Sequence, residues 1–171
     1  MFYDESRFGL ITDISRKWTI RGVKPIIPYQ QKYEYFYLYQ STDIKTGEDF
    51  SMFMSGLDTE FLNVYLDKLS KRFKDEKIVL IMDNASFHKS KKLKIPKNIK
   101  IYFIPPYSPE LNPQERRFED VKKFLKNKVF KSLEELQEKI THILFDYTKD
   151  QIKSLVSYPY LQKAININLL F

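Results

Sequence analysis

A chain of 171 residues, 43% hydrophobic and 16% aromatic, is long enough to bury one substantial core and too short for two ordinary domains, so residues 1–171 are expected to form a single domain. The lack of cysteine, with only two histidines, excludes disulfides and thiolate metal sites, and leaves oxygen ligands for any metal. Twenty-nine Lys and Arg against twenty-two Asp and Glu leave +7, which suits a polyanionic partner but follows equally well from a coding bias toward Lys, Ile, Asn, Tyr and Phe; with no membrane-spanning run and no signal-peptide pattern, a soluble cytoplasmic protein with no membrane partner is expected.

In chain order, residues 8–14 and 18–20 read as short extended pieces, with residues 21–25 as a breaker and Trp18 assigned to the core. Residues 33–42 are rich in tyrosine and strongly β in propensity, residues 43–48 form a turn around Gly47, and Asp49–Met54 returns as a second strand, which makes an antiparallel hairpin. Phe61, Leu62, Tyr65, Leu66 and Leu69 recur at helical spacing within residues 58–73, with Asp58 or Thr59 as cap. Ile78–Met82 and residues 99–104 are short apolar strands joined by a crossover, the pattern of parallel pairing. From Gln114 the chain turns helical, with Phe118, Val121, Phe124 and Leu125 on one face. Ser132 opens a capping pattern ahead of Leu133, Leu136, Ile140, Ile143 and Leu144. The expected class is α/β: a mixed sheet with an N-terminal antiparallel meander, flanking helices and a helical C-terminal part.

Two peptides about thirty residues apart carry the chemistry: Met82-Asp83-Asn84-Ala85-Ser86-Phe87-His88, and Pro105-Pro106-Tyr107-Ser108-Pro109-Glu110-Leu111-Asn112-Pro113-Gln114-Glu115. The first ends a buried strand on a carboxylate, and the second is a proline-stiffened loop that sets Glu115 on the first turn of a helix. With Asp4 they supply three acids, the oxygen-rich donor set that Mg²⁺ prefers. Two such ions about 4 Å apart serve an in-line phosphoryl displacement. Simpler readings stand beside this one. Asp83-Asn84 after a strand also suits a turn or cap, Glu115 also complements a helix dipole, Glu119 shares the face of Glu115 as an alternative third ligand, and a lone His88 is commonly structural.

These motifs, together with Asp4-Glu5-Ser6, Phe8, Trp18 and Gly22, resemble the catalytic domain of bacterial insertion-sequence transposases of the mariner superfamily, over nearly the whole chain. The resemblance implies an RNase H-like fold with a DDE triad at Asp4, Asp83 and Glu115. It implies Mg²⁺, with Mn²⁺ as substitute, cleavage of DNA at element ends, and attack of the freed 3′-hydroxyl on target DNA, typically at a TA step. Asn84 and Asn112 are expected to steady the acids by hydrogen bonds; His88, Lys89, Lys91, Lys92, Arg116, Lys122 and Lys123 are the candidate DNA contacts. The chain departs from the family in two ways. The N-terminal helix-turn-helix region is absent, which points to an upstream-frame DNA-binding polypeptide as partner or to a truncated, non-catalytic relic whose first strand holds Asp4 weakly. The thirty-one residues between Asp83 and Glu115 are slightly fewer than usual, a difference that a shortened loop at residues 94–99 would absorb. A homodimer is compatible with the pattern, and a nuclease or resolvase of the same fold is the rival enzyme.

Overall fold

The computed structural model describes residues 1–166. Five strands form one mixed sheet: β1 (Phe2–Ile11), β2 (Gln31–Thr42), β3 (Asp49–Met54), β4 (Ile78–Met82) and β5 (Ile99–Phe103), in the order β3-β2-β1-β4-β5. The β1-β2-β3 half is an antiparallel meander, while β4 pairs in parallel with both β1 and β5. Helix α1 (Thr59–Arg72) covers one face of the sheet; α2 (Gln114–Lys123), α3 (Leu133–Asp146), α4 (Lys149–Val156) and α5 (Pro159–Asn166) gather on the other.

The local rules act visibly. Asp58 caps α1 by accepting from the Glu60 and Phe61 amides, and Leu62, Tyr65, Leu66 and Leu69 pack against Tyr3, Tyr39, Leu80 and Met82. Each fully buried leucine contributes roughly 1.5–3 kcal/mol by leaving water. Across the sheet, Phe118, Val121 and Leu125 of α2 and its C-terminal turn join Leu136, Ile140 and Ile143 of α3 over Phe8, Leu10, Phe36 and Leu38. Between β2 and β3, Gly47 (φ 73°) closes the turn, and a Cβ there would lie 2.2 Å from the Lys149 carbonyl oxygen; no side chain fits at that spot.

Three expectations fail. The first strand is one ten-residue element beginning at Phe2, in place of separate pieces at residues 8–14 and 18–20, so Asp4 sits inside a paired strand. The Asp, Glu, Ser and Arg residues that mask it from propensity are carried by neighbours on both edges. Trp18 has no cover at all (104% exposed), and residues 12–30 run without helix or strand. Phe124, expected on the packing face, is 49% exposed. The helix stops at Lys123, and tighter bonds from the Phe124 amide to Val121 and the Leu125 amide to Lys122 turn the chain away.

Candidate active site

Sheet register aligns two of the acids. In the parallel β1–β4 pair, Phe2 lies opposite Ile81, and the Ile81 amide donates to the Met1 carbonyl at 2.9 Å. Two residues further along each strand, Asp4 comes level with Asp83. Alternation then sorts the side chains by face. Phe2 and Ile81 pack toward α4 and α5, so Asp4 follows Phe2 to that face, while Asp83, just past the end of β4, has its Oδ1 against His88. Tyr3 packs toward α1, and Glu5 follows it to the opposite one.

The third acid arrives on a helix that is pinned on either side of it. Gln114 is completely buried: its amide nitrogen donates to the Gln40 carbonyl at 2.9 Å, and its amide oxygen accepts from the Thr42 hydroxyl at 3.0 Å. Arg117, also completely buried, pairs with Asp49 at 3.2 Å and lies 4.1 Å over the Tyr147 ring. Glu115, between them, is left exposed on the first turn. Asn112 joins this helix to the first acid. Its side-chain nitrogen donates to the Tyr3 carbonyl and to Asp4 Oδ2, each at 3.2 Å, while its oxygen accepts from the Gln114 amide, also at 3.2 Å.

Crowding of carboxylates shapes the electrostatics. Burial, then the charges of Glu5, Glu115 and Asp83, push the Asp4 carboxyl up to about 8, against a 2.8 Å bond from the Glu5 amide that favours ionisation. Asp83 moves the other way, held below its ordinary value chiefly by the hydrogen bond from His88. Burial opposes charge on His88, yet its bonds to Asp83 and Glu5 and their negative charges raise it to about 9. The His88 ring lies 2.7 Å from Asp83 Oδ1 through Nδ1, and 3.0 Å from Glu5 Oε1 through Nε2. Glu5 also accepts from the Tyr3 hydroxyl. The Ala85 amide adds a 3.0 Å bond to the same Oδ1 of Asp83.

An all-carboxylate set fits a hard divalent cation, which would offset the negative charges of Glu5, Glu115 and Asp83 that add to burial in raising Asp4. Among the described residues, however, no three His, Asp or Glu side chains stand close enough to enclose an ion as they are. Register and helix docking bring the acids to one place without closing them around a point. Asp4 feels the charge of Glu115, and Glu119 lies one turn further along an open groove of 480 Å³ that also borders Glu110, Arg116 and Lys123.

Other expected residues sort differently. Asn84 donates to the Ile104 carbonyl, so its amide ties the ends of β4 and β5 together in place of steadying an acid. His88, expected at DNA, is 1% exposed and turned inward between Glu5 and Asp83. Lys89, Lys91 and Lys92 are exposed just beyond Asp83, and Arg116 is exposed beside Glu115 with its guanidinium 5.6 Å from the Tyr158 ring. Lys123 is exposed and pairs with Asp120 at 3.1 Å. Lys122 leans over the Phe8 ring toward the far half of β1. Sequence reasoning passed over Glu5 and Gln114, although each is the immediate neighbour of an expected acid.

Known proteins match this arrangement. A family model described as DDE superfamily endonuclease matches residues 1–137. The uncharacterized protein y4pE/y4sA of Sinorhizobium fredii (strain NBRC 101917 / NGR234) is 31% identical over 135 residues, covering 78% of this chain and 93% of that protein. The Mos1 transposase paired-end complex with left transposon end superposes with a TM-score of 0.71 at 12% identity, over 91% of this chain and 50% of that one. The Mos1 mariner paired end complex with Mn gives 0.72 at 14%, again over 91% and 50%. The chain therefore spans about half the length of the Mos1 chains it matches. At such low identity the likeness shows the fold, an α/β sheet like the RNase H-like catalytic domain of Mos1.

Proposed function

The chain belongs to the DDE superfamily endonucleases, and from that premise we propose that it is the catalytic portion of a transposase of a bacterial insertion sequence, cutting DNA at element ends and joining the freed 3′-hydroxyl to target DNA. The observation that supports this reading is that β1–β4 register brings Asp4 level with Asp83, while α2, docked through Gln114 and Asn112, carries Glu115 near enough for its charge to act on Asp4. Mos1, of like fold, has been solved with transposon ends, with Mn and with Mg.

In this reading Asp4, Asp83 and Glu115 would hold Mg²⁺, or Mn²⁺ in its place, which would supply charge neutralisation at the scissile phosphate and activation of the attacking oxygen. Burial and neighbouring acids raise the Asp4 carboxyl to about 8, the hydrogen bond from His88 holds Asp83 below its ordinary value, and Asn112 ties Asp4 to the helix that bears Glu115. Lys89, Lys91, Lys92, Arg116 and Lys123, all exposed, would grip the phosphate backbone. A homodimer would synapse two ends.

The test is a joining assay in Mg²⁺, in which a short duplex with a free 3′-hydroxyl is incubated with supercoiled plasmid. Joining by the wild type, lost in Asp83→Asn and Glu115→Gln, is expected. Nicking without joining would instead favour a nuclease or resolvase of this fold. Salt-sensitive DNA binding with no reaction, indifferent to both substitutions, would favour the relic.

A further inference from the structure

Glu5 and His88 have no part in the reaction face described above, yet they form its most thoroughly buried charged contact, at 7% and 1% side-chain exposure. We infer that His88, braced by Glu5, is a positioning residue for Asp83, gripping one carboxylate oxygen from the α1 side of the sheet so that the other is presented to the reaction face. The inference rests on the reading of Asp83 as a metal ligand.

The geometry supplies the argument. A carboxylate at the end of a strand rotates freely unless one oxygen is held. Here the contacts to the Asp83 carboxylate converge on Oδ1, from His88 Nδ1 at 2.7 Å, which also lies 3.2 Å from the Asp83 carbonyl, and from the Ala85 amide at 3.0 Å. The side chain remains 49% exposed, so the other oxygen has access to solvent. The ring itself cannot turn: its far nitrogen bonds Glu5 at 3.0 Å, the Phe87 ring lies 4.2 Å from it, and the Tyr3 ring meets it edge-on at 5.8 Å.

Nδ1 faces Asp83 and Nε2 faces Glu5, so Glu5 fixes the ring from behind and leaves Asp83 oriented. Stability alone is a weak reason for such an arrangement, since a buried ion cluster is often no better for folding than apolar residues of the same volume. A hydrogen-bonded partner behind a metal-binding group typically governs affinity.

Two substitutions separate the two bonds. In His88→Asn the side-chain nitrogen falls near the position of Nδ1 and keeps the donor to Asp83; in His88→Gln it falls near Nε2 and keeps only the donor to Glu5. Mn²⁺ titration calorimetry on the full chain is expected to show affinity about 10-fold or more weaker in His88→Gln and within about 3-fold of wild type in His88→Asn, with thermal melting confirming that both fold. Equal affinities in the two variants, while Asp83→Asn abolishes binding, would overturn the inference and leave the metal-site reading standing. Wild-type affinity in Asp83→Asn would overturn the reading, and the inference with it. If either His88 variant does not fold, Glu5→Ala decides, because it removes the group that fixes the ring from behind: about 10-fold weaker binding supports the inference, and wild-type binding refutes it.

Discussion

The first half of β1 and the segment that follows the strand are built on opposite terms. From Phe2 to Phe8 the chain is paired with β2 throughout and with β4 at its start, and each acid is held: Asp4 by Asn112, Glu5 by Tyr3 and His88. Residues 12–30 carry Trp18, Ile20 and Ile26 almost wholly in solvent. Only their base is fastened, by bonds between Thr12 and Gln30, from Gln30 to the Leu10 and Phe130 carbonyls, and from Asn127 to Asp13 and Ser15. The contrast teaches that hydrophobicity did not decide what is buried here. Polar residues with partners on two sides are inside, and apolar residues on an extension beyond the sheet are not.

The sharpest way to break the comparison is to remove an acid from the held region. Asp83→Asn or Glu115→Gln is expected to lower the rate of strand joining about 1,000-fold, equivalent to ~4 kcal/mol of transition-state stabilisation. Because Glu115 is exposed, its substitution should leave the urea midpoint in place. Unchanged joining by either variant would remove it from the reaction.

Next comes the link between strand and helix. Asn112→Ala leaves the Asp4 and Tyr3 acceptors and the Gln114 amide without a buried partner, which should cost about 1–3 kcal/mol, read from urea unfolding, and should slow joining as well. Loss of activity with no loss of stability would mean that Asn112 steadies the acid without bracing the fold.

A smaller effect separates the two kinds of titration in the site. Asp4 binds its proton more tightly folded than unfolded, so its contribution to stability falls as pH rises from about 4 to about 8. His88 contributes fully below about 6.5 and loses that contribution as pH rises through about 9. Asp4→Asn should therefore melt with the wild type near pH 4 and progressively above it as pH rises to 8. A parallel pair of melting curves across that range would show that Asp4 ionises normally.

The least effect is expected on the extension. Trp18→Ala should shift stability by less than about 0.5 kcal/mol, and fluorescence from this single tryptophan should keep its solvent-exposed emission wavelength through unfolding. A blue-shifted native spectrum would show that something covers residues 12–30.

Much of the sheet was legible in the sequence. The bounds of β3 and β4 agree with the apolar runs that announce them, and α1 sits where its cap and spacing place it, since a five-residue apolar run or a helical stripe carries its own signal. The start of β1 was not legible, because Asp4, Glu5, Ser6 and Arg7 break any apolar pattern, and only pairing with β2 and β4 makes them a strand. Trp18 was misplaced for the converse reason: an apolar side chain is buried only where the fold offers it a partner, and none of the helices reaches it.

The sequence by itself determined the two acidic motifs, the strand and helix segments that carry them, and, through family likeness, the kind of fold they serve. Tertiary structure alone decided that the neighbours Asp4 and Glu5 serve opposite faces, that His88 looks inward at two carboxylates in place of outward at DNA, and that Asn84 ties two strands while Asn112 reaches Asp4. Strand alternation and register create these differences, and register is set by pairing partners dozens of residues away, beyond the reach of any local pattern.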